Sequence, residues 1–161
     1  MRTVHWLFLV SVALFVSGIG FIIASARSGP GAAAPEAPAT TPVASLAQIM
    51  SGIVQPNANV VYGAVGTKVS AAGVEEWAPE TDEEWATVGS SAAALVEAGN
   101  LMLLGTRAVD RGDWVTMTRE YMEEAQKAMA AVDAKSTEGI LDAGAYINDT
   151  CDKCHERYWR Q

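Results

Sequence analysis

Cysteine and histidine are scarce in this chain, two of each in 161 residues. His5 lies in an apolar N-terminal stretch at the membrane boundary, so one histidine and two cysteines remain for the rest. A structural zinc site needs four ligands, and no second Cys/His pair is present to complete one within the chain. Positive charge is also short: 11 Lys and Arg against 19 Asp and Glu give a formal net charge of −8. That balance excludes nucleic acid as a partner, because its phosphates require a basic face. Apolar/polar alternation of period two is missing, so a sheet is not expected. There is no internal repeat, and no nucleophile–base pair that would point to hydrolysis. The chain is not read as an enzyme.

The thiols and the remaining imidazole are concentrated in one pentapeptide, Cys151-Asp152-Lys153-Cys154-His155. C-x-x-C-H is the attachment signature of a c-type haem. Two thiols at this spacing can form thioethers with the two vinyl groups of one porphyrin. The histidine after the second thiol then reaches the iron as its proximal ligand. Cys151, Cys154 and His155 are therefore the candidate sites for one covalent haem c. The other reading of C-x-x-C is a redox dithiol or disulfide. A thioredoxin-like dithiol would sit at a βα junction, and no such unit is visible.

Residues 1–26 read as a leader. Arg2 precedes an almost unbroken apolar run from Val4 to Ala24, about the length a helix needs to span a bilayer. Ala24-Ser25-Ala26 is also an A-x-A pattern of the kind a signal peptidase cuts. Both readings, membrane anchor and cleaved signal, export the remainder of the chain. In bacteria covalent haem attachment takes place across the inner membrane, so leader and pentapeptide agree on a periplasm-facing domain. Residues 27–42, rich in Ala and Pro with Gly29-Pro30-Gly31, cannot build a core and read as a linker.

Residues 43–161 read as one helical domain. Leu46, Met50, Ile53 and Val54 share a face, and Val60, Val61, Ala64 and Val65 resume it after Pro56, which predicts a kinked helix or two in succession. The stretch from Thr67 to Glu80 reads as a loop. Thr81 and Glu84 form a capping box for a helix with Trp85, Val88, Ala92, Leu95, Gly99 and Met102 inward. Another helix starts near Asp113 and carries Trp114, Met117, Tyr121, Ala125, Ala128 and Val132. Ser136 caps the last, whose stripe runs from Ile140, Gly144 and Ile147 to Cys151, Cys154, His155 and Tyr158. The expected fold is all-α, an antiparallel four-helix bundle around one covalent haem, behind an apolar helix and a linker.

Four amphipathic helices with C-x-x-C-H at the very C-terminus resemble the class II cytochromes c, the cytochrome c prime group and its low-spin relatives. The resemblance covers about residues 43–161, and Glu156-Arg157-Tyr158 is similar to the family's polar-then-aromatic ending. It implies a single-haem electron-transfer protein, often a homodimer, meeting a redox partner protein. In low-spin members a methionine early in the first helix is the sixth iron ligand, and Met50 falls where that residue would lie. In high-spin members the position is non-ligating, and the five-coordinate iron binds NO or CO. The chain differs from the family in having Leu46 where an arginine is common, and in Pro56. Met50 read as core filler is the plain alternative, and Met102 is the second candidate ligand.

The remaining signals are weaker. Trp85 and Trp114 read as core anchors near helix starts. The acidic run Glu75, Glu76, Glu80, Asp82, Glu83 and Glu84 reads as a solvated loop and helix start, or as a docking patch for a basic partner.

Overall fold

A computed structural model of the chain describes residues 4–16 and 40–159. The chain divides into two units, Met1–Thr40 and Thr41–Gln161. In the first, residues 4–16 form a helix, α1, with exposed side chains. Among the described residues, no helix is long and apolar enough to cross a membrane. The rest of the apolar run, the Ala24-Ser25-Ala26 pattern and residues 27–39 of the linker lie outside the described residues.

The second unit is mostly helical. Ser45 opens α2 (Leu46–Ile49) with a capping box. Its hydroxyl accepts from the Gln48 amide at 3.2 Å, and the Gln48 side chain accepts from the Ser45 amide at 2.8 Å. The helix then widens into a π turn, Met50–Val54, and resumes as α3 (Gln55–Gly63) with Pro56 in its first turn. The expected interruption at Pro56 has a definite form here. In a regular helix the proline ring would strike the Gly52 carbonyl four residues back and leave it without a donor. In the wider turn the bond reaches five residues back, from the Gln55 amide to the Met50 carbonyl, and Ser51 and Asn57 side chains donate to the Ala47 and Ile53 carbonyls at 3.0 and 2.7 Å.

Between α3 and the next helix the expected loop is instead an antiparallel hairpin, β1 (Gly66–Ser70) and β2 (Gly73–Trp77). Period-two alternation is absent because almost every residue of both strands is exposed. The hairpin rests on cross-strand pairs, Lys68 opposite Glu75 and Val69 opposite Val74, which favour pairing by charge and by β-branched packing. Gly73, at φ +130°, takes the backbone conformation that closes the two-residue turn. Trp77 donates its indole N–H to the Gly63 carbonyl at 3.0 Å. A Cβ on Gly66 would fall 2.2 Å from the Trp77 ring, so only glycine fits beneath it.

Three long helices complete the unit. Thr81 and Glu84 form the expected capping box at the start of α4 (Asp82–Leu103), and all six residues expected inward are buried. A short 3₁₀ turn, Gly105–Arg107, leads to α5 (Asp113–Asp133). On α5 the inward positions are Trp114, Thr118, Tyr121, Ala125, Ala128 and Ala131. Met117 and Val132 are only half-buried, one step round the helix from Thr118 and Ala131. Thr118 can be buried because its hydroxyl donates to the Trp114 carbonyl at 2.7 Å. Ser136 caps α6 (Thr137–Tyr158) by accepting from the Gly139 amide at 3.0 Å.

Successive long helices pack on one another, α4 on α5 and α5 on α6, while α3 lies on both α4 and α6. Leu95, Ile140, Ile147, Trp114 and Val61 are the large side chains sealed at the centre. Burying each is worth roughly 1.5–3 kcal/mol, and the Trp114 indole still donates to the Met102 carbonyl at 3.2 Å. Arg107 ties the start of the domain to this core, donating to the carbonyls of Ala44 and Leu101 at 3.0 and 3.2 Å.

Candidate functional site

The pentapeptide lies in the last two turns of α6, so its geometry is set by helical spacing. Cys151 and His155 are four residues apart and stack on one face, with Cys154 beside them. All three are half-buried, whereas Asp152, Lys153 and Glu156 point to solvent. Both cysteines are free thiols. Ile147 and Thr150 are buried just before them, and the Thr150 hydroxyl donates to the Ile147 carbonyl at 2.7 Å. His155 packs its ring against Trp159, with centroids 4.8 Å apart.

The end of α6 is held by a clamp from the segment that opens α5. Tyr158 donates its hydroxyl to Asp110 and packs edge-on to Trp114, with ring centroids 5.1 Å apart. Arg157 pairs with Asp113 at 2.6 Å. Asp110 also accepts from the amides of Gly112 and Trp114 at 2.8 and 3.1 Å. These bonds hold the Asp110 carboxyl below the usual carboxylate range, the Tyr158 hydroxyl contributing most. A terminal helix turn normally frays. Here side chains from another element hold the turn that carries His155.

The electrostatics of the thiols are set by burial. Burial pushes Cys151 up to about 11, the Tyr62 hydroxyl partly offsets this, and the nearby Cys154 and Asp152 add to it. Burial also raises Cys154. The phenols of Tyr62 and Tyr121 are raised too, first by burial and then by the charge Cys151 would carry. Cys151, Tyr62 from α3 and Tyr121 from α5 thus share one neighbourhood. Tyr121 is only 5% exposed, and its hydroxyl has no hydrogen-bond partner among the described residues.

Met50 lies half-buried in the π turn and packs against the core. That turn rests on α4, while the packing of this region on α6 comes from α3. The thiols and His155 are thus brought together on one helix end, and Tyr62 from α3 interacts with Cys151 there. Met102 is buried at the end of α4. Two open clefts of about 400 and 380 Å³ flank α3, the second between Tyr62, Leu141, Gly144 and Asn148. Neither is lined by Cys151, Cys154 or His155.

Tyr121 was legible in the sequence as an inward residue, although nothing there linked it to Cys151. Tyr62 gave no signal, because its role depends on α3 lying across α6. Among the described residues no three His, Cys, Asp or Glu side chains converge as a metal-holding group. A metal held here by protein ligands alone has no such group to use, whereas iron carried in a porphyrin needs only His155 from the pentapeptide.

The residues present fit a covalently attached haem. Raised, half-buried thiols on one helix face are poor nucleophiles for dithiol exchange but suitably placed for two adjacent thioethers. Tyr121 adds a buried hydroxyl in the same neighbourhood that nothing among the described residues satisfies. Comparison with protein-family models, with curated proteins and with solved structures finds no match for this chain.

Proposed function

We propose that the chain is an exported single-haem cytochrome of the class II kind, a four-helix bundle carrying haem c and transferring electrons to or from a redox partner protein. The observation that carries the reading is C-x-x-C-H at the clamped end of a long helix, with both thiols half-buried and neither acidified. Cys151 and Cys154 would hold the haem through thioether bonds to its two vinyl groups. His155 would hold the iron through its imidazole, and its contact with Trp159 limits the rotation of the ring. The bound iron would supply the one-electron chemistry. Ile147 and Thr150, buried on α6 just before the thiols, would keep water from the haem, and burial of this kind tunes the potential.

Met50 is the proposed sixth ligand, making the iron low-spin and favouring its ferrous form. Its place in a π turn supports the assignment, because such turns are rare and concentrate at functional sites. A second reading is favoured by the packing of that turn on α4. On this reading no protein ligand closes the iron, and the site binds NO or CO. The apolar N-terminal run of the sequence supports a domain facing the periplasm, anchored or released.

The visible spectrum of the dithionite-reduced protein, made with a haem-attachment system and recorded before and after carbon monoxide, separates these readings. Sharp low-spin bands indifferent to the gas support the electron carrier. Broad bands that shift with the gas support the open site. Protein whose haem is lost on denaturation, or that takes up none, would overturn both.

A further inference from the structure

Resting on that reading of the pentapeptide, we propose that Tyr121 is a positioning residue for the haem, its hydroxyl donating a hydrogen bond to a lone-pair acceptor that the haem brings into the bundle. Tyr121 is 5% exposed, and its hydroxyl is buried without a partner among the described residues. A buried hydroxyl left unpaired carries a desolvation penalty with nothing to offset it. Its neighbours on the chain do not accept from it. Thr118, one turn back, is bound to the Trp114 carbonyl at 2.7 Å. Glu124, one turn on, engages Lys127 at 2.8 Å through Oε1; its Oε2 is likewise buried without a partner among the described residues, yet makes no bond to the phenol. The Cys151 sulfur already interacts with Tyr62.

Phenylalanine would fill the same volume without that penalty, so the hydroxyl is explained by a group that arrives from outside the chain. Its position narrows the choice: Trp114 meets Tyr158 with ring centroids 5.1 Å apart, and Tyr121 lies two turns on along α5 as Cys151 lies two turns back along the α6 packed against it, which sets the phenol at the level of the thiol that would carry the porphyrin. A porphyrin is apolar except for its two propionate carboxylates and the ligand on its iron. Both present lone pairs to a phenol O–H. Hydrogen-bond donors of this kind are among the levers that set what a haem site does.

The test uses the full-length, haem-loaded protein and its Tyr121→Phe variant, with Tyr62→Phe alongside. Covalent haem is first verified after denaturation in alkaline pyridine. Its absence from the wild-type protein would overturn both the cytochrome reading and this proposal. With haem present, Tyr121→Phe is expected to raise the unfolding equilibrium constant roughly fivefold, together with a change at the haem itself. If the acceptor is a propionate, the pH-dependent step in the midpoint potential moves to higher pH, because the carboxylate loses a donor that held it ionised. If the acceptor is a ligand on the iron, the stretching frequency of bound carbon monoxide shifts while the pH step stays. That measurement is made in a Met50→Ala background if the wild-type iron is closed to the gas. A Tyr121→Phe protein with an unchanged pH step and an unchanged carbon monoxide frequency overturns the proposal, whatever its stability, and leaves the cytochrome reading standing.

Discussion

The phenol of Tyr62 sits beside the sulfur of Cys151, and the interaction acts oppositely on the two groups, raising the phenol and lowering the thiol. Burial outweighs it at the sulfur, so the thiol still lies at about 11 against an ordinary 9.0. A folded-state value above the unfolded one means that the folded chain holds the proton more tightly. The stability this confers is complete below about pH 9 and is lost as the pH rises toward 11. A thioether has no proton to lose. The haem-free chain should therefore unfold at lower urea concentration as pH is raised across this window, and Cys151→Ala should flatten the dependence. If the Cys151→Ala chain keeps the same slope, the burial of this thiol is not its cause.

Gly99 on α4 and Met122 on α5 mark a close approach of those two helices that substitution can probe. A Cβ at Gly99 would lie 2.2 Å from the Met122 Cγ and 2.6 Å from its sulfur. Gly99→Ala gains about 1 kcal/mol of helix propensity but meets overpacking of roughly 1–3 kcal/mol. A net loss of stability is expected in urea denaturation. Shortening Met122 to alanine in the same chain should make Gly99→Ala neutral or stabilising. Simple additivity of the two substitutions would show that the side chains do not meet.

Tyr158 and Asp110 should behave as a pH-dependent clamp on the end of α6. The Asp110 carboxyl lies below its ordinary 3.8, first through the Tyr158 hydroxyl. Its contribution is thus present above that pH and lost as the pH falls below it. Tyr158→Phe keeps the ring against Trp114 but removes the donor. The variant should melt earlier than wild type near neutrality, with the gap narrowing in acid. Amide exchange at His155 to Trp159 should quicken in the variant. An equal gap at about pH 7 and about pH 3 would argue against the carboxylate as the source.

Much of this helical framework was legible because it rests on local rules. Thr81 with Glu84, Ser136, and the apolar spacing from Trp85 to Met102 each act within a few residues, and each predicted its element. Pro56 announced an interruption, but its resolution as a π turn, with the Gln55 amide on the Met50 carbonyl and Asn57 donating to Ile53, was not written in the spacing. The hairpin escaped notice because its strands bury almost nothing, and the register that stabilises it joins residues across the turn. The site divides in the same way. Cys151, Cys154 and His155 stand in one pentapeptide, whereas Tyr62 and Tyr121 reach Cys151 only once α3 and α5 have docked on α6.

Met50 and Met102 can be told apart by which property each substitution moves. Met102 is 5% exposed at the core, where its backbone also accepts the Trp114 indole. Met102→Ala should cost roughly 2–5 kcal/mol as the surrounding core fails to close, with the haem spectrum unaltered. Met50 is only half-buried in the π turn, so its truncation removes less packing. Met50→Ala should therefore change stability little while converting low-spin bands to high-spin ones that respond to carbon monoxide. The two substitutions exchange signatures if Met102 is the ligand. A wild-type protein that already responds to the gas removes Met50 from the iron and leaves the open site as the reading of this fold.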